Sequence, residues 1–259
     1  MPDANATPIS SAPLVVNYGG GVNSTALLVG MRERGERPDM IVFADTGGER
    51  PETYAYLDVM DSWLLRAGFP PIERVRWIRK DGTFLSLEDW CLKHGQLPSL
   101  AYGMKGCSVK WKAQPVDKHV KMRYPNGAVR CLGYDALESH RVNRGTDGGL
   151  WAWRYPLVEW NWTRRECGEA IERAGLPVSA KSACFFCPAS KPHEVVNLRR
   201  EHPALADRAL AIEDAGAAYS AVSVGLGRSW RWRDVLDSDA AQVDMFRSPP
   251  DSPCGCYDG

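Results

Sequence analysis

The sequence contains no apolar run that approaches the roughly 20 residues needed to cross a bilayer, so no membrane-spanning segment is predicted. It also lacks an excess of charge of either sign, because 32 Lys and Arg residues balance 32 Asp and Glu residues. That balance excludes a generally basic nucleic-acid coat, although it leaves room for a local basic patch. The first 13 residues have neither the basic start nor the apolar segment of a secretory signal, and we expect residues 1–12 to form a disordered tail.

Cysteine, in contrast, is well represented, with eight residues in a chain of 259. Because no secretory signal is recognisable, we expect a reducing, cytoplasmic environment in which thiols serve metals or chemistry more often than disulfides. Hydrophobic residues at 44% and charged residues at 25% are typical of a folded globular protein. The length predicts one large domain, or one domain with a small appendage.

The first half of the chain alternates short apolar runs with amphipathic stretches, which is typical of a parallel sheet with crossover helices. The predicted strands are Leu14–Tyr18, Met40–Ala44, Val75–Ile78 and Ala128–Leu132. Helices are predicted at Asn23–Arg34, at Pro51–Leu65, twice between residues 82 and 124, after the Thr163–Glu166 capping box, and over most of residues 192–224.

A glycine-rich loop joins the first predicted strand to the first helix, with the sequence Tyr18-Gly19-Gly20-Gly21-Val22-Asn23-Ser24-Thr25. Glycines let backbone amides approach an anion, and the helix N-terminus adds a positive dipole end. Ser24 and Thr25 can donate hydroxyl hydrogen bonds to phosphate oxygens. Neither the Walker spacing nor G-x-G-x-x-G is present. The alternative is a turn that serves packing alone.

This loop resembles the Ser-Gly-Gly-x-Asp-Ser loop of the PP-loop ATP pyrophosphatases, with Gly19 in the Ser place and Asn23 in the Asp place. The segment Asp45-Thr46-Gly47-Gly48-Glu49-Arg50-Pro51-Glu52-Thr53 resembles the Asp-Thr-Gly…Pro-Glu-Thr signature of the phosphoadenosine phosphosulfate (PAPS) reductase family. Both motifs follow strands, at the edge where open α/β sheets bind ligands. The alternative for Pro51-Glu52-Thr53 is ordinary helix-start chemistry.

A third segment, Gly133 to Arg141, resembles the family's Gly-x-x-x-x-Glu-Ser-x-Arg motif. Arg141 would meet phosphate or sulfate oxygens with its planar fork, and the alternative is a surface pair with Glu138. The resemblance extends from about Leu14 to Pro203.

The resemblance implies an adenine nucleotide alpha hydrolase-like fold: a twisted, mainly parallel sheet with helices on both faces and a small Cys-bearing helical segment over the strand ends. It implies a PP-loop nucleotide-binding domain at residues 13–190, followed by a helical region at 191–246 and a Cys-containing tail at 247–259.

The activity implied is ATP binding with cleavage between the α and β phosphates, which adenylates a substrate for iron–sulfur-assisted sulfur transfer. The loop would cradle the phosphates, Asp45 and Thr46 would border the nucleoside, Glu52 would belong to the same site, and Arg141 or Lys112 would offset developing charge. Mg²⁺ would bridge phosphate oxygens, with no protein ligand assigned.

The partners implied are an adenine nucleotide, a sulfur donor or reductant, and a nucleic acid or small molecule as acceptor. The oligomeric state is open, with a homodimer as one alternative. A sulfonucleotide (PAPS or APS) reductase that releases sulfite is the alternative activity. A non-catalytic nucleotide-binding module is the second alternative.

One Cys-x-x-Cys pair, Cys184 and Cys187, cannot saturate a tetrahedral metal. In the iron–sulfur branch of the family, a Cys-Cys pair and a distant Cys-x-x-Cys hold a [4Fe-4S] cluster. Cys107 matches the first pair, whereas Ser108 stands at its second position. The fourth ligand would be Cys254 or Cys256, or the iron would stay open for sulfide or substrate. Zinc and a redox dithiol remain alternatives.

The remaining patterns carry weaker signals. Cys91, Cys131 and Cys167 are predicted to be buried as small hydrophobic residues. Five lysines around Cys107 would neutralise a triphosphate or a nucleic-acid backbone, or form a solvated helix face: Lys105, Lys110, Lys112, Lys118 and Lys121. Trp151–Arg154 and Trp230–Arg233 alternate aromatics with other residues, which is typical of base stacking or of an edge strand with one buried face.

Overall fold

A computed structural model of the chain describes residues 12–142, 150–217 and 223–238. The predicted disordered tail lies outside these ranges except for its last residue. The predicted Cys-containing tail, with Cys254 and Cys256, also lies outside them. Within the described ranges, no helix is both long and apolar enough to cross a membrane.

The centre of the fold is a five-stranded sheet in the order β3-β2-β1-β4-β5, in which every neighbouring pair is parallel. The strands are β1 Leu14–Asn17, β2 Met40–Ala44, β3 Ile72–Val75, β4 Ala128–Cys131 and β5 Trp151–Arg154. Central parallel strands are covered on both faces, and they therefore consist of nearly continuous apolar runs such as β2. The sheet confirms the predicted α/β class.

Ten α-helices and three short helices of other types surround the sheet within the described residues. The α-helices are α1 Val22–Glu33, α2 Pro51–Arg66, α3 Leu87–His94, α4 Gly106–Ser108, α5 Gln114–Arg123, α6 Pro156–Glu159, α7 Arg164–Arg173, α8 Pro192–Glu201, α9 Pro203–Ala217 and α10 Trp232–Asp237. The others are 3₁₀-helices at Ser99–Tyr102 and Ala136–Arg141 and a π-helix at Val109–Ala113.

Successive side chains of the strands point to opposite faces of the sheet, and helices cover both faces. Val16 of β1 belongs to a core with residues of α1, α2 and α7, whereas Val15 belongs to a second core with residues of α5. The apolar spacing of α1 and α2 produces the first core. A third core, around Phe185, joins α3, α8, α9 and α10 beyond the sheet.

The third strand is the clearest error of the sequence prediction, because β3 spans Ile72–Val75 rather than Val75–Ile78. β3 is an edge strand that pairs only with β2, and edge strands tolerate charged residues such as Glu73 and Arg74. The alternation of charged and apolar residues therefore hid the strand.

The two tryptophan-rich segments have different structures. Trp151–Arg154 forms edge strand β5, which confirms the strand of the edge-strand alternative, although none of its four residues is fully buried. The edge-strand alternative at Trp230–Arg233 is wrong, because α10 begins at Trp232, whose side chain is fully buried.

The strand order places a crevice at one end of the sheet. From β1 the chain crosses to β2 on one side, and β4 lies on the other side, so the loops that leave β1 and β4 diverge at their carboxyl ends. Open α/β sheets bind ligands at such a switch point. The glycine loop leaves β1 at this position.

Candidate functional site

The glycine loop bends sharply at Gly20, where φ is +76°. A Cβ at Gly20 would lie 3.2 Å from Thr53 Cγ2 and 3.3 Å from Ser182 Oγ. The backbone conformation and the close neighbours both require glycine here. Gly21 then adopts extended geometry as the N-cap of α1.

The first turn of α1 exposes backbone donors rather than side chains. No side chain caps this helix, and within the described ranges the N–H groups of Gly21, Val22 and Asn23 have no hydrogen-bond partner. Thr25 N donates to Gly21 O at 3.0 Å, and Ser24 Oγ donates to the same oxygen at 3.1 Å. Together with the helix dipole, the unpaired amides form an anion-binding arrangement.

Two of the predicted loop ligands point away from this arrangement. Tyr18 Oη and Thr25 Oγ1 lie 3.0 Å apart and hydrogen-bond to each other, and both side chains are buried. Burial raises the pKa of the Tyr18 hydroxyl well above its ordinary value. The loop therefore presents main-chain N–H groups, while these two hydroxyls hold α1 against the core.

Asn23, which stands where the PP-loop pattern has Asp, hydrogen-bonds to three other side chains. Its Nδ2 donates to Asp135 Oδ2 and to Glu138 Oε2, each at 3.1 Å, and its Oδ1 accepts from Arg164 Nη1 at 3.0 Å. An aspartate here would place a third carboxylate beside two others in a buried environment. The amide instead joins the glycine loop to the segment after β4.

That segment brings Gly133 and Arg141 to the start of α1. A Cβ on Gly133 would lie 3.0 Å from the backbone nitrogen of Ser24, so only glycine allows this approach. Arg141 pairs with Glu138, but this pair is largely buried and not the surface pair of the alternative interpretation. The Arg141 guanidinium lies 4.2 Å from the ring centre of Tyr134. Because Glu138 also binds Asn23, Arg141 lies two side chains away from the loop.

Asp45 organises the loop after β2. Its Oδ1 accepts from Gly47 N at 2.8 Å and from Tyr54 Oη at 2.7 Å, and its Oδ2 accepts from Arg76 Nε at 2.8 Å and Nη2 at 2.6 Å. Burial and the hydrogen bond to Asp45 raise the pKa of the Tyr54 hydroxyl. Asp45 is therefore fully engaged within the protein and shapes the predicted nucleoside border through the backbone of its loop.

Glu49 is a buried residue that the sequence analysis did not select. Its carboxylate lies 3.4 Å from Lys112 Nζ and accepts from Cys184 Sγ at 3.9 Å and from Thr46 Oγ1 at 3.4 Å. Its Oε2 is buried without a hydrogen-bond partner among the described residues. The sequence offered one signal that could have identified Glu49, because this acid follows two glycines and precedes the start of α2. Its burial, however, depends on the antiparallel bridge between Glu49 and Cys184.

The structure brings together the three cysteines that the resemblance assigns to a cluster. Cys107, Cys184 and Cys187 line one cavity, together with Ser108 and Lys112. Cys107 lies in α4, as expected of a helical segment, whereas Cys184 and Cys187 lie in a turn that the Cys187 N to Cys184 O hydrogen bond closes. Thus the predicted Cys-bearing helical segment is helical only in part.

The spacing of the three cysteine sulfurs does not match a single tetrahedral zinc ion within the described residues. Zn–S bonds of about 2.3 Å require tetrahedral sulfurs about 3.8 Å apart, and the three cysteine sulfurs are not all within 4.8 Å of one another. Thiolates are the usual ligands of iron–sulfur clusters, which separate their ligands more widely. The cavity measures about 30 Å³, so a cluster requires outward movement of the turn or of α4. Ser108, which stands at the second position of the Cys-Cys pattern, also lines the cavity.

The other described cysteines confirm the prediction of burial, and no disulfide joins the six cysteines within the described ranges. Burial raises the pKa of the Cys91, Cys131 and Cys167 thiols to about 12, so these groups stay protonated. They are matched controls for the cavity cysteines.

Glu52 contacts the C-terminal helices rather than the glycine loop. It pairs with His202, and Glu201 lies within 4.8 Å of both ligand atoms. Partial burial disfavours the charged carboxylate, but the hydrogen bonds from His202 and the backbone hold the pKa of Glu52 below its ordinary value. Its predicted place beside the nucleotide has no support from these contacts.

The five lysines do not form one patch. Lys112 lies in the cysteine cavity, Lys118 lines a separate cleft, and Lys110 Nζ lies 4.5 Å from the ring centres of Trp77 and Trp111. Burial lowers the pKa of Lys110. The other two, Lys105 and Lys121, are exposed.

No protein-family model matches the chain, and no curated protein matches it either.

Proposed function

We propose that the chain is a PP-loop enzyme with an adenine nucleotide alpha hydrolase-like fold, which binds ATP and cleaves it between the α and β phosphates. The observation that carries the proposal is the set of unpaired N–H groups at residues 21–23, at the switch point of a parallel sheet. Backbone donors at a helix N-terminus suit a di- or triphosphate. The glycine at +76° and the close approach of Gly133 support a loop built for such a ligand.

In the proposed reaction, an oxygen of the acceptor forms a bond to the α phosphorus while the bond from that phosphorus to the bridging oxygen breaks. Pyrophosphate leaves, and the acceptor carries AMP. The amides of the glycine loop would hold the leaving phosphates, which carry the growing negative charge. Arg141, linked to the loop through Glu138 and Asn23, and Lys112, paired with Glu49, would be the side chains that offset the same charge.

The loop after β2 would border the nucleoside through the backbone that Asp45 and Thr46 shape. Mg²⁺, when bound, would offset the negative charge of the phosphates and keep much of its water, as it commonly does. The nearest acidic side chains, Asp135 and Glu138, already bind Asn23, so no residue of the chain is assigned to the ion.

Cys107, Cys184 and Cys187 would hold an iron–sulfur cluster, which when bound would supply a site for sulfur in the transfer to the adenylated acceptor. Phe186 and Leu87, both buried, contribute apolar surface to the lining of the cavity. Lys112 would keep the negative charge of the thiolates balanced. A cytoplasmic location is part of the proposal, because thiol ligands require a reducing compartment.

The test compares two glycine variants that carry the same backbone strain. Gly20→Ala and Gly35→Ala both place alanine at positive φ, +76° and +70° respectively, but a Cβ at Gly35 meets nothing within 4 Å. We expect Gly20→Ala to weaken ATP binding by at least about tenfold in calorimetry, equivalent to about 1.4 kcal/mol. Gly35→Ala should bind ATP as the wild type does.

Pyrophosphate release in the presence of candidate acceptors completes the test. Release that depends on an acceptor and disappears in Gly20→Ala supports adenylation. Sulfite release from PAPS with a thiol reductant would favour the reductase alternative. If the wild-type protein binds no adenine nucleotide, or if both glycine variants bind equally, the proposal is wrong.

A further inference from the structure

A second cleft lies beside the candidate nucleotide site, between α5 and the end of β3 with the residues that follow it. It measures about 380 Å³, within the range of about 300–1,000 Å³ that ligand pockets occupy. Its walls are formed by Arg76, Trp77 and Ile78 on one side and by Gln114, Lys118 and His119 on the other. No step of the proposed reaction uses this cleft.

The charges that face the cleft are mainly positive. Lys118 is exposed and makes no ion pair within the described part of the chain. His119 Nε2 lies 2.5 Å from Glu73 Oε2, and Arg76 binds Asp45, so both of these lining residues already have acidic partners. Among the described residues that line the cleft, Lys118 is the cationic side chain without an ion pair, so it is the group that an anionic ligand would meet.

The same cleft has an aromatic and apolar rim. Trp77 is half-buried, and its ring packs against Trp111 with the ring centres 5.6 Å apart. Ile78 and Met122 are 46% and 72% exposed. A flat aromatic side chain near a cation is the combination that stacks a base and binds the adjoining phosphate of a single strand.

Arg76 connects the cleft to the candidate nucleotide site, because it lines the cleft and also binds Asp45 of the loop after β2. A ligand in the cleft therefore lies next to the edge of the sheet where the glycine loop ends. An acceptor of the proposed adenylation must reach that edge.

We propose that this cleft binds a segment of single-stranded nucleic acid, with a phosphate at Lys118 and the adjoining base against Trp77. The assignment of this strand as the acceptor rests on the proposed function, whereas the binding itself does not. The exposed rim suits a strand that continues beyond the cleft, in contrast to an enclosed small molecule.

The experiment measures anisotropy of fluorescein-labelled dT12 and U12 at several salt concentrations, for the wild type, Lys118→Glu and Lys121→Glu. Lys121 is the matched control, because it is exposed on the same helix but does not line the cleft. We expect Lys118→Glu to weaken binding at least about fivefold and to reduce the salt slope by about 0.7, the value for one phosphate of a single strand. Lys121→Glu should change affinity less than about twofold, since it makes no defined contact.

A second variant tests the aromatic wall. Trp77→Ala should weaken binding of both oligonucleotides while leaving the salt slope unchanged, because stacking releases no counterions. ATP calorimetry on the same preparations shows whether each variant is folded and separates this inference from the proposed function. If the protein binds dT12 but not ATP, the proposed nucleic-acid cleft is supported and the proposed adenylation is wrong.

Three outcomes overturn the inference. The first is a wild-type protein that binds ATP but neither oligonucleotide. The second is an equal loss of affinity in Lys118→Glu and Lys121→Glu. The third is competition by dTMP as effective as by dT12, which would make the cleft a mononucleotide site.

Discussion

The glycine loop and the cysteine cavity lie at the same end of the sheet, yet they are built in opposite ways. At the loop, the side chains bind one another: Asn23 makes three hydrogen bonds, and Tyr18 binds Thr25. The unpaired groups there are backbone amides. In the cavity, the chemistry is carried by side chains, the three thiols and Lys112, beside the partly unpaired carboxylate of Glu49.

The difference indicates which substitutions each region tolerates. A backbone site keeps its donors when side chains change, provided that the chain conformation survives, so the loop tolerates Gly19 and Asn23 where the PP-loop pattern has Ser and Asp. A side-chain site loses one donor with each substitution. The two regions meet at Ser182, whose Oγ donates to Gly19 O at 2.7 Å two residues before Cys184.

The largest expected effect is on the cysteine cavity. Replacing any one of Cys107, Cys184 and Cys187 with Ser should remove most of the bound iron, because a hydroxyl is a poor substitute for a thiolate. The measurement is iron, zinc and sulfide content with an absorption spectrum after anaerobic purification. ATP binding should persist in these variants, since the loop amides are untouched.

Two internal cysteines serve as controls for that measurement. Cys91→Ala and Cys167→Ala remove buried thiols outside the cavity, so they should lower stability and keep the metal. Loss of iron in these controls, or a colourless wild-type protein that contains only zinc, would contradict the cluster assignment.

A smaller effect is expected from Asn23→Asp, which introduces the residue that the PP-loop pattern has at this position. The new carboxylate would face Asp135 and Glu138, and we expect a loss of about 1–3 kcal/mol in the free energy of unfolding at pH 7. The neighbouring acids would raise the pKa of the new group in the folded state, so its penalty applies above that pKa and shrinks as the pH falls.

Chemical denaturation of wild type and Asn23→Asp at pH 7 and pH 5 measures this change. A deficit that stays constant between the two pH values would show that the loss is not electrostatic. Asn23→Ala is the companion variant, because it removes the hydrogen bonds without adding charge and should give a deficit that varies less with pH.

The smallest effect is expected from Glu52→Gln, which tests a residue that the resemblance placed at the nucleotide. ATP affinity should change less than about twofold, because Glu52 contacts His202 and its side chain is 42% exposed. The pKa of Glu52 is lowered in the fold, so its stabilisation is present above the ordinary carboxyl pKa and is lost as the pH falls through the folded pKa.

Unfolding measured between pH 3 and pH 7 should therefore show a shallower acid slope in Glu52→Gln than in wild type, with a difference below about 1 kcal/mol at pH 7. A tenfold loss of ATP affinity in the same variant would show that Glu52 contributes to ATP binding. It would also argue against binding through the loop backbone alone.

Local sequence patterns predicted many of the strands and helices, because the formation of these elements depends largely on short stretches of chain. β2 was predicted at its observed bounds, and the predicted and observed starts of α1 differ by one residue. Parallel central strands are apolar throughout, which makes them easy to recognise. The prediction of β3 was wrong because an edge strand carries charged residues. The prediction near α10 was wrong because an alternating aromatic pattern also fits a helix that buries one ring.

The candidate site was predictable in its outline and not in its contacts. Motif spacing placed the glycine loop, Asp45 and the cysteines near the strand ends, as the structure does. It could not find Glu49, whose significance comes from a bridge to Cys184, 135 residues away along the chain. It also could not show that Thr25 and Asp45 are occupied by partners within the protein.

The sequence by itself determined the strand–loop–helix order, the glycine at the bend and the presence of thiols, because these follow from local backbone preferences and from residue chemistry. Only the tertiary structure decided which polar groups are left to bind a ligand, since hydrogen-bond partners come from distant parts of the chain. Burial makes these partners important for the free energy, because a polar group removed from water costs free energy unless it forms a hydrogen bond with the protein or with a ligand.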